Sequence, residues 1–104
     1  MGMLETALPM WTAAASYEER IAPLLDALGR NLEAAASRIS AASCYQKAGD
    51  LSRAVNLYQA ALAAPLRLGT RRDIEAMLAG CRDELSRLAL NGLPRRRGRV
   101  QAGT

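Results

Sequence analysis

From Tyr17 onward, apolar residues recur three and four positions apart, the period of one face of an α-helix. Ile21, Leu25, Leu28, Leu32, Ala35 and Ile39 form one such stripe. Pro23 donates no backbone hydrogen bond, so the pattern predicts a helix that starts near it or kinks there. Gly29-Arg30-Asn31 leaves two readings open, a break at that point or one long helix reaching Ala48. Ahead of the stripe, residues 1–15 carry Met3, Leu4, Leu8, Met10 and Trp11 around Pro9. Such a segment is compatible with a short helix or with a loose arm packed on the body or on a partner.

Ala48-Gly49-Asp50 is the clearest punctuation in the chain. Gly49 suits the left-handed residue that closes a helix, and Asp50 can accept from the free N–H groups of the next one. That next helix is expected from Leu51 to about Ala64, with Leu51, Ala54, Val55, Tyr58, Ala61 and Leu62 on one face and Pro65 at its end. A last helix is expected over roughly Arg71 to Leu90. Its apolar stripe is Ile74, Met77, Leu78, Cys81, Leu85 and Leu88, closed by Asn91-Gly92 and Pro94. No stretch alternates apolar and polar residues as a strand would. The predicted fold is all-α: antiparallel helical hairpins with a C-terminal capping helix. It divides into an N-terminal arm or short helix (1–15), a helical domain (16–92) and a basic, disordered tail (93–104).

Composition sharpens this picture. Half of the 104 residues are apolar, but there is no Phe and one Trp, and alanine is abundant. Small side chains let helices approach closely while each buries little area, so the fold is expected to be marginal alone. The formal charge of +4 resides in Arg95, Arg96, Arg97 and Arg99. Without those four, ten basic groups balance ten acidic ones. A nucleic-acid footprint places basic residues on a folded face, so the excess reads as a solvated terminus and nucleic-acid binding is disfavoured. An electrostatic arm toward an acidic partner, RNA or a membrane surface is the alternative.

Catalytic and metal chemistry find little to work with. There is no His, no Gly-rich phosphate loop and no CxxC, and Cys44 and Cys81 fall among apolar neighbours where Cys behaves as a small hydrophobe. Glu18-Glu19 and Asp83-Glu84 are adjacent carboxylates whose side chains diverge on a helix, and read as solvated faces. Arg71-Arg72 would open the last helix against its dipole, which reads as an exposed loop with Asp73 as local compensation or as a contact with an acidic partner. The chain is expected to be a non-enzyme without cofactor or metal. With no signal peptide and no apolar run of about 20 residues, it is expected to be soluble and cytoplasmic, with no membrane span.

The series Ala42, Tyr45, Gly49-Asp50, Ala54, Tyr58, Ala61 and Leu62 resembles one tetratricopeptide repeat, a 34-residue helix–turn–helix unit. Counting from Ala35, Ala42 and Ala54 take the small positions at which the two helices touch, and Tyr45 and Tyr58 take the aromatic wedge positions. The match departs at Arg38, where the family usually has Trp, at Ala41 for Leu, and at Leu66 for Pro. Tyr17, Ile21, Leu24, Ala27 and Leu28 form a degenerate copy of the second helix one repeat earlier. Ile74, Met77, Leu78 and Cys81 resemble the opening helix of a third.

The resemblance implies a binding protein whose first helices line a concave groove for an extended or helical peptide. That groove would be formed by Ala36, Ile39, Ser43, Gln46 and Lys47, with Arg72, Glu75, Ala79 and Arg82 from the last helix. Ser40 and Ser43 stand where amides clamp a terminal carboxylate in some members, so tail recognition of that kind is disfavoured. A chain with fewer than about three hairpins should leave apolar surface uncovered. The implied partner is a small helical protein or an amphipathic peptide, held in a hetero-complex, or a second copy in a homodimer. In length, helix content and lack of catalytic residues the chain is similar to the bacterial chaperones of type III secretion, proteins of virulence systems. The alternatives are a self-associating scaffold or regulatory adaptor, or nucleic-acid contact through the arginine-rich tail.

Overall fold

A computed structural model describes residues 2–92, with side chains from residue 7 onward. The basic tail of residues 93–104, including its four arginines, lies outside the described residues. Four helices follow one another among them: α1 (Gly2–Ala27), α2 (Asn31–Lys47), α3 (Leu51–Ala61) and α4 (Leu68–Gly92). α1 packs on α2, α2 on α3 and α3 on α4, a progression of helical hairpins rather than a closed bundle. The fold is all-α, with the tetratricopeptide-like arrangement expected.

The first two connections share one device. At each, a glycine takes a left-handed conformation, Gly29 at φ +76° and Gly49 at φ +87°. The following N–H then reaches back five residues: Arg30 to the Leu25 carbonyl at 2.9 Å, and Asp50 to the Tyr45 carbonyl at 2.8 Å. This closure satisfies carbonyls that the helix end leaves free. The open question over residues 23–48 is thereby answered: there are two helices, parted at Gly29. Asp50 caps α3 as its sequence suggests, Oδ1 accepting from the Arg53 N–H at 3.2 Å.

α1 differs from expectation. It is one helix of 26 residues running through both Pro9 and Pro23, so the boundary drawn after residue 15 falls inside it. Pro23 neither starts nor ends the helix. It is exposed, and the helix runs on through it although the Glu19 carbonyl loses its usual backbone donor. At 1.5 Å per residue, α1 is about 39 Å long against about 26 Å for α2. Its N-terminal part therefore overhangs the end of α2.

The core is built from small residues around two tyrosines. Ala15, Ala41, Ala42, Tyr45, Ala54, Leu57, Tyr58, Ile74, Leu78 and Cys81 form one buried cluster. Several expected core leucines are elsewhere: Leu24, Leu28 and Leu32 are each more than half exposed. The stripe from Ile21 to Ile39 is cut at Gly29, and α1 turns Ala15 and Ala22 inward instead. α3 stops at Ala61, short of Ala64, and α4 begins at Leu68, ahead of Arg71.

Candidate docking surfaces

Two tyrosines hold the hairpins in register. The Tyr45 hydroxyl donates to Glu19 Oε1 at 2.8 Å, tying α2 to α1, and accepts from Arg53 Nη1 at 3.3 Å, tying it to α3. The Arg53 guanidinium also lies 5.4 Å from the Tyr45 ring centre. Burial, and then the hydrogen bond to the Glu19 carboxylate, raise the Tyr45 pKa above its ordinary value. Tyr58 donates to Gln46 Oε1 at 2.9 Å, and its pKa is raised chiefly by burial. Glu19 is therefore a tertiary contact, not the solvated carboxylate its neighbour Glu18 suggested.

Of the small and aromatic positions read from the repeat spacing, Ala42, Tyr45, Ala54 and Tyr58 share one buried cluster. Ala42, Tyr45, Ala54, Tyr58 and Ala61 are buried, Gly49 makes the turn and Leu62 closes α3 half-buried. Arg38, one of the three departures from the repeat pattern, bridges to Asp26 of α1 at 2.8 Å. Arg71 is not a compensated loop charge. Its Nη2 donates to the Leu62 and Ala64 carbonyls at 3.0 Å each, covering the C-terminal end of α3. Cys81 is buried, with its thiol pKa raised by burial, and Cys44 is half-buried; both are free thiols.

The nine groove residues are dispersed. Gln46 alone among them lines the open groove, of about 510 Å³, between the α2–α3 turn and α4. The α4 wall of this groove is Gly80, Cys81, Glu84 and Leu88. Arg72, Glu75, Ala79 and Arg82 are exposed on the roughly opposite side of α4, since at 100° per residue they fall on another face. Lys47 points toward α1 and sets its ammonium 4.4 Å over the Trp11 ring. Ile39 is half-buried against the core, Ser43 is half-buried, and Ala36 is exposed.

The sequence does not mark Gly80, Glu84 and Leu88 as groove residues: Leu88 reads as part of the core stripe and Glu84 as a solvated carboxylate. Gly80 was the one available signal, because a glycine inside a helix costs about 1 kcal/mol relative to alanine. A Cβ built there meets nothing, so no contact among the described residues requires it.

A second apolar hollow, of about 250 Å³, lies along α1 between Ala7, Met10, Trp11 and Ala14. No helix among the described residues is long and apolar enough to cross a membrane. The fold and these surfaces define a class, a short stack of helical hairpins with uncovered apolar faces. Compared with known protein families, curated proteins and solved structures, the chain matches none.

Proposed function

We propose that this chain is a non-enzymatic tetratricopeptide-type binding protein. It acts in the cytoplasm as a chaperone or adaptor that holds an amphipathic helix of a protein partner. The type III secretion chaperones are the specific family proposed. An open groove carries the proposal. Leu51, Cys81 and Leu88 give it apolar walls, Gln46 and Glu84 give it polar edges, and Leu88 is half exposed. Gly80 leaves bare backbone at its side, where a partner helix can approach closely without displacing a side chain. An amphipathic helix matches this shape and supplies apolar side chains three and four residues apart.

The test is co-expression with the short helical proteins encoded beside its gene. A partner should co-purify in equimolar amount, and Gly80→Leu or Leu88→Asp should abolish capture without lowering helix content or melting temperature; Gly80→Leu should raise the latter, as loss of a mid-helix glycine does. Capture unaffected by both substitutions would remove the groove from the function. A chain that stays unpartnered beside all its gene neighbours would remove the chaperone role.

A further inference from the structure

We infer that α1 is a self-association surface, on which a second copy of this chain packs its own α1 antiparallel. The observation is a heptad. Ala7, Met10, Ala14, Tyr17, Ile21, Leu24 and Leu28 are spaced alternately three and four apart, with no polar interruption over three turns of the pattern. This 3.5-residue period belongs to helix pairs packed knobs-into-holes. Met10, Tyr17, Leu24 and Leu28 are 66%, 60%, 66% and 69% exposed, because α1 buries a different face, Ala15 and Ala22, against α2. Nothing in the described chain covers these four side chains, while Ala7 and Ile21 between them are half-buried.

Its sequence complements itself in one register. When the partner's α1 runs antiparallel with Ala14 opposite the partner's Tyr17, Ala7 meets the partner's Leu24 and Met10 meets the partner's Ile21. The alanine layers are thereby matched with large side chains, as close packing requires. Flanking residues agree. Glu18 falls beside the partner's Trp11, over which the partner's Lys47 ammonium already sits, and Arg20 falls beside the partner's Ala13. Sliding by one heptad toward the C-terminus sets Glu18 against Glu18 and Arg20 against Arg20. Sliding the other way leaves Leu24 and Leu28 uncovered. A parallel pair stacks alanine on alanine and leaves voids. The favoured register also lays each overhanging N-terminal part of α1 along the other copy, filling the hollow at Met10 and Trp11.

Such contact is isologous and closes after two copies. Covering the four exposed side chains on both protomers removes on the order of 1,000 Å², the lower bound for a specific interface. The surface is distinct from the α4 groove, so dimerisation and client binding stand or fall separately.

Sedimentation of the full chain over a range of concentrations should find a dimer. Leu24→Asp should raise the dissociation constant at least about 100-fold, since two leucines leave the interface per dimer. Helix content should be retained, because Leu24 is exposed in the protomer. The variant carrying Met10→Cys and Ile21→Cys should form an intermolecular disulfide on oxidation, mapped by mass spectrometry to residues 10 and 21. A monomer at all concentrations overturns the inference. So does a dimer indifferent to Leu24→Asp, or one in which Met10→Cys alone links residue 10 to residue 10.

Discussion

The hydroxyl of Tyr45 on α2 lies 2.8 Å from Glu19 Oε1 on α1, and the same oxygen accepts from Arg53 on α3. One phenol thus joins three consecutive helices in a stack whose other contacts are mostly alanine. Its ring is buried, so the bond is shielded from bulk water at one end.

Removing that hydroxyl should loosen the stack without opening a large cavity. Tyr45→Phe is expected to cost about 1 kcal/mol, a neutral-to-charged hydrogen bond lost with Glu19 still able to reach water. A domain of this size should melt roughly 4–8 °C lower. Thermal denaturation followed by circular dichroism measures this, and an unchanged midpoint would mean that the bond contributes nothing.

Alkaline pH should destabilise the protein. Tyr45, Tyr58 and Cys81 all have pKa values raised above their ordinary 10.0, 10.0 and 9.0, so the folded state holds these protons more tightly than the unfolded chain. Their contribution is complete below about pH 9 and is lost as pH rises through the folded values. Melting temperature should fall progressively above about pH 9, with Cys81 engaged first. The fall should be shallower in Tyr45→Phe, which has one such proton fewer.

Close approach of α2 and α3 depends on Ala54, which is fully buried at their contact. Ala54→Leu adds three carbons where none fit and should destabilise by about 1–3 kcal/mol. Ala60→Leu, at an exposed position of the same helix, should stay within about 0.5 kcal/mol. Equal denaturation midpoints for the two would argue against alanine-mediated packing.

Arg71 completes α3 from outside it. Arg71→Met keeps much of the aliphatic stem but removes the donors to the Leu62 and Ala64 carbonyls. The expected loss is about 1–2 kcal/mol. Hydrogen exchange should quicken at the C-terminal end of α3 more than in α2; uniform protection would leave the cap without effect.

The turn at Gly49 should resist any side chain. Gly49→Ala must hold φ +87°, a conformation that costs an L-residue about 1–2 kcal/mol, although a Cβ there meets no atom. Gly69→Ala, in equally open space and without that conformation, should be neutral or stabilising. Urea denaturation of both variants separates backbone strain from crowding.

The hairpin at the centre of the molecule could be read from the chain because its causes are local. Gly49 must be left-handed, Asp50 caps the helix it precedes, and Ala42, Tyr45, Ala54 and Tyr58 stand at the spacing two packed helices need. The turn at Gly29 was half legible: its glycine was visible, but a helix can carry an internal glycine at modest cost, so its conformation had to be seen. The docking surfaces were far less legible. Arg72, Glu75, Ala79 and Arg82 share a face of α4, but only the path of α3 decides which side of α4 that is.

Along α1, periodicity reports that a face is apolar and says nothing of what covers it. By its own sequence, α1 offers two candidate faces, one lined by Ala15 and Ala22 and one by Tyr17, Leu24 and Leu28. Tertiary packing assigned the alanines to α2, where slender side chains allow close contact, and left the leucines facing outward. The sequence thus determined the all-helical character, the turn at Gly49-Asp50 and the central small-residue hairpin, set by interactions close together in the chain. Which apolar surface remained open was decided by long-range competition between faces for the same neighbour.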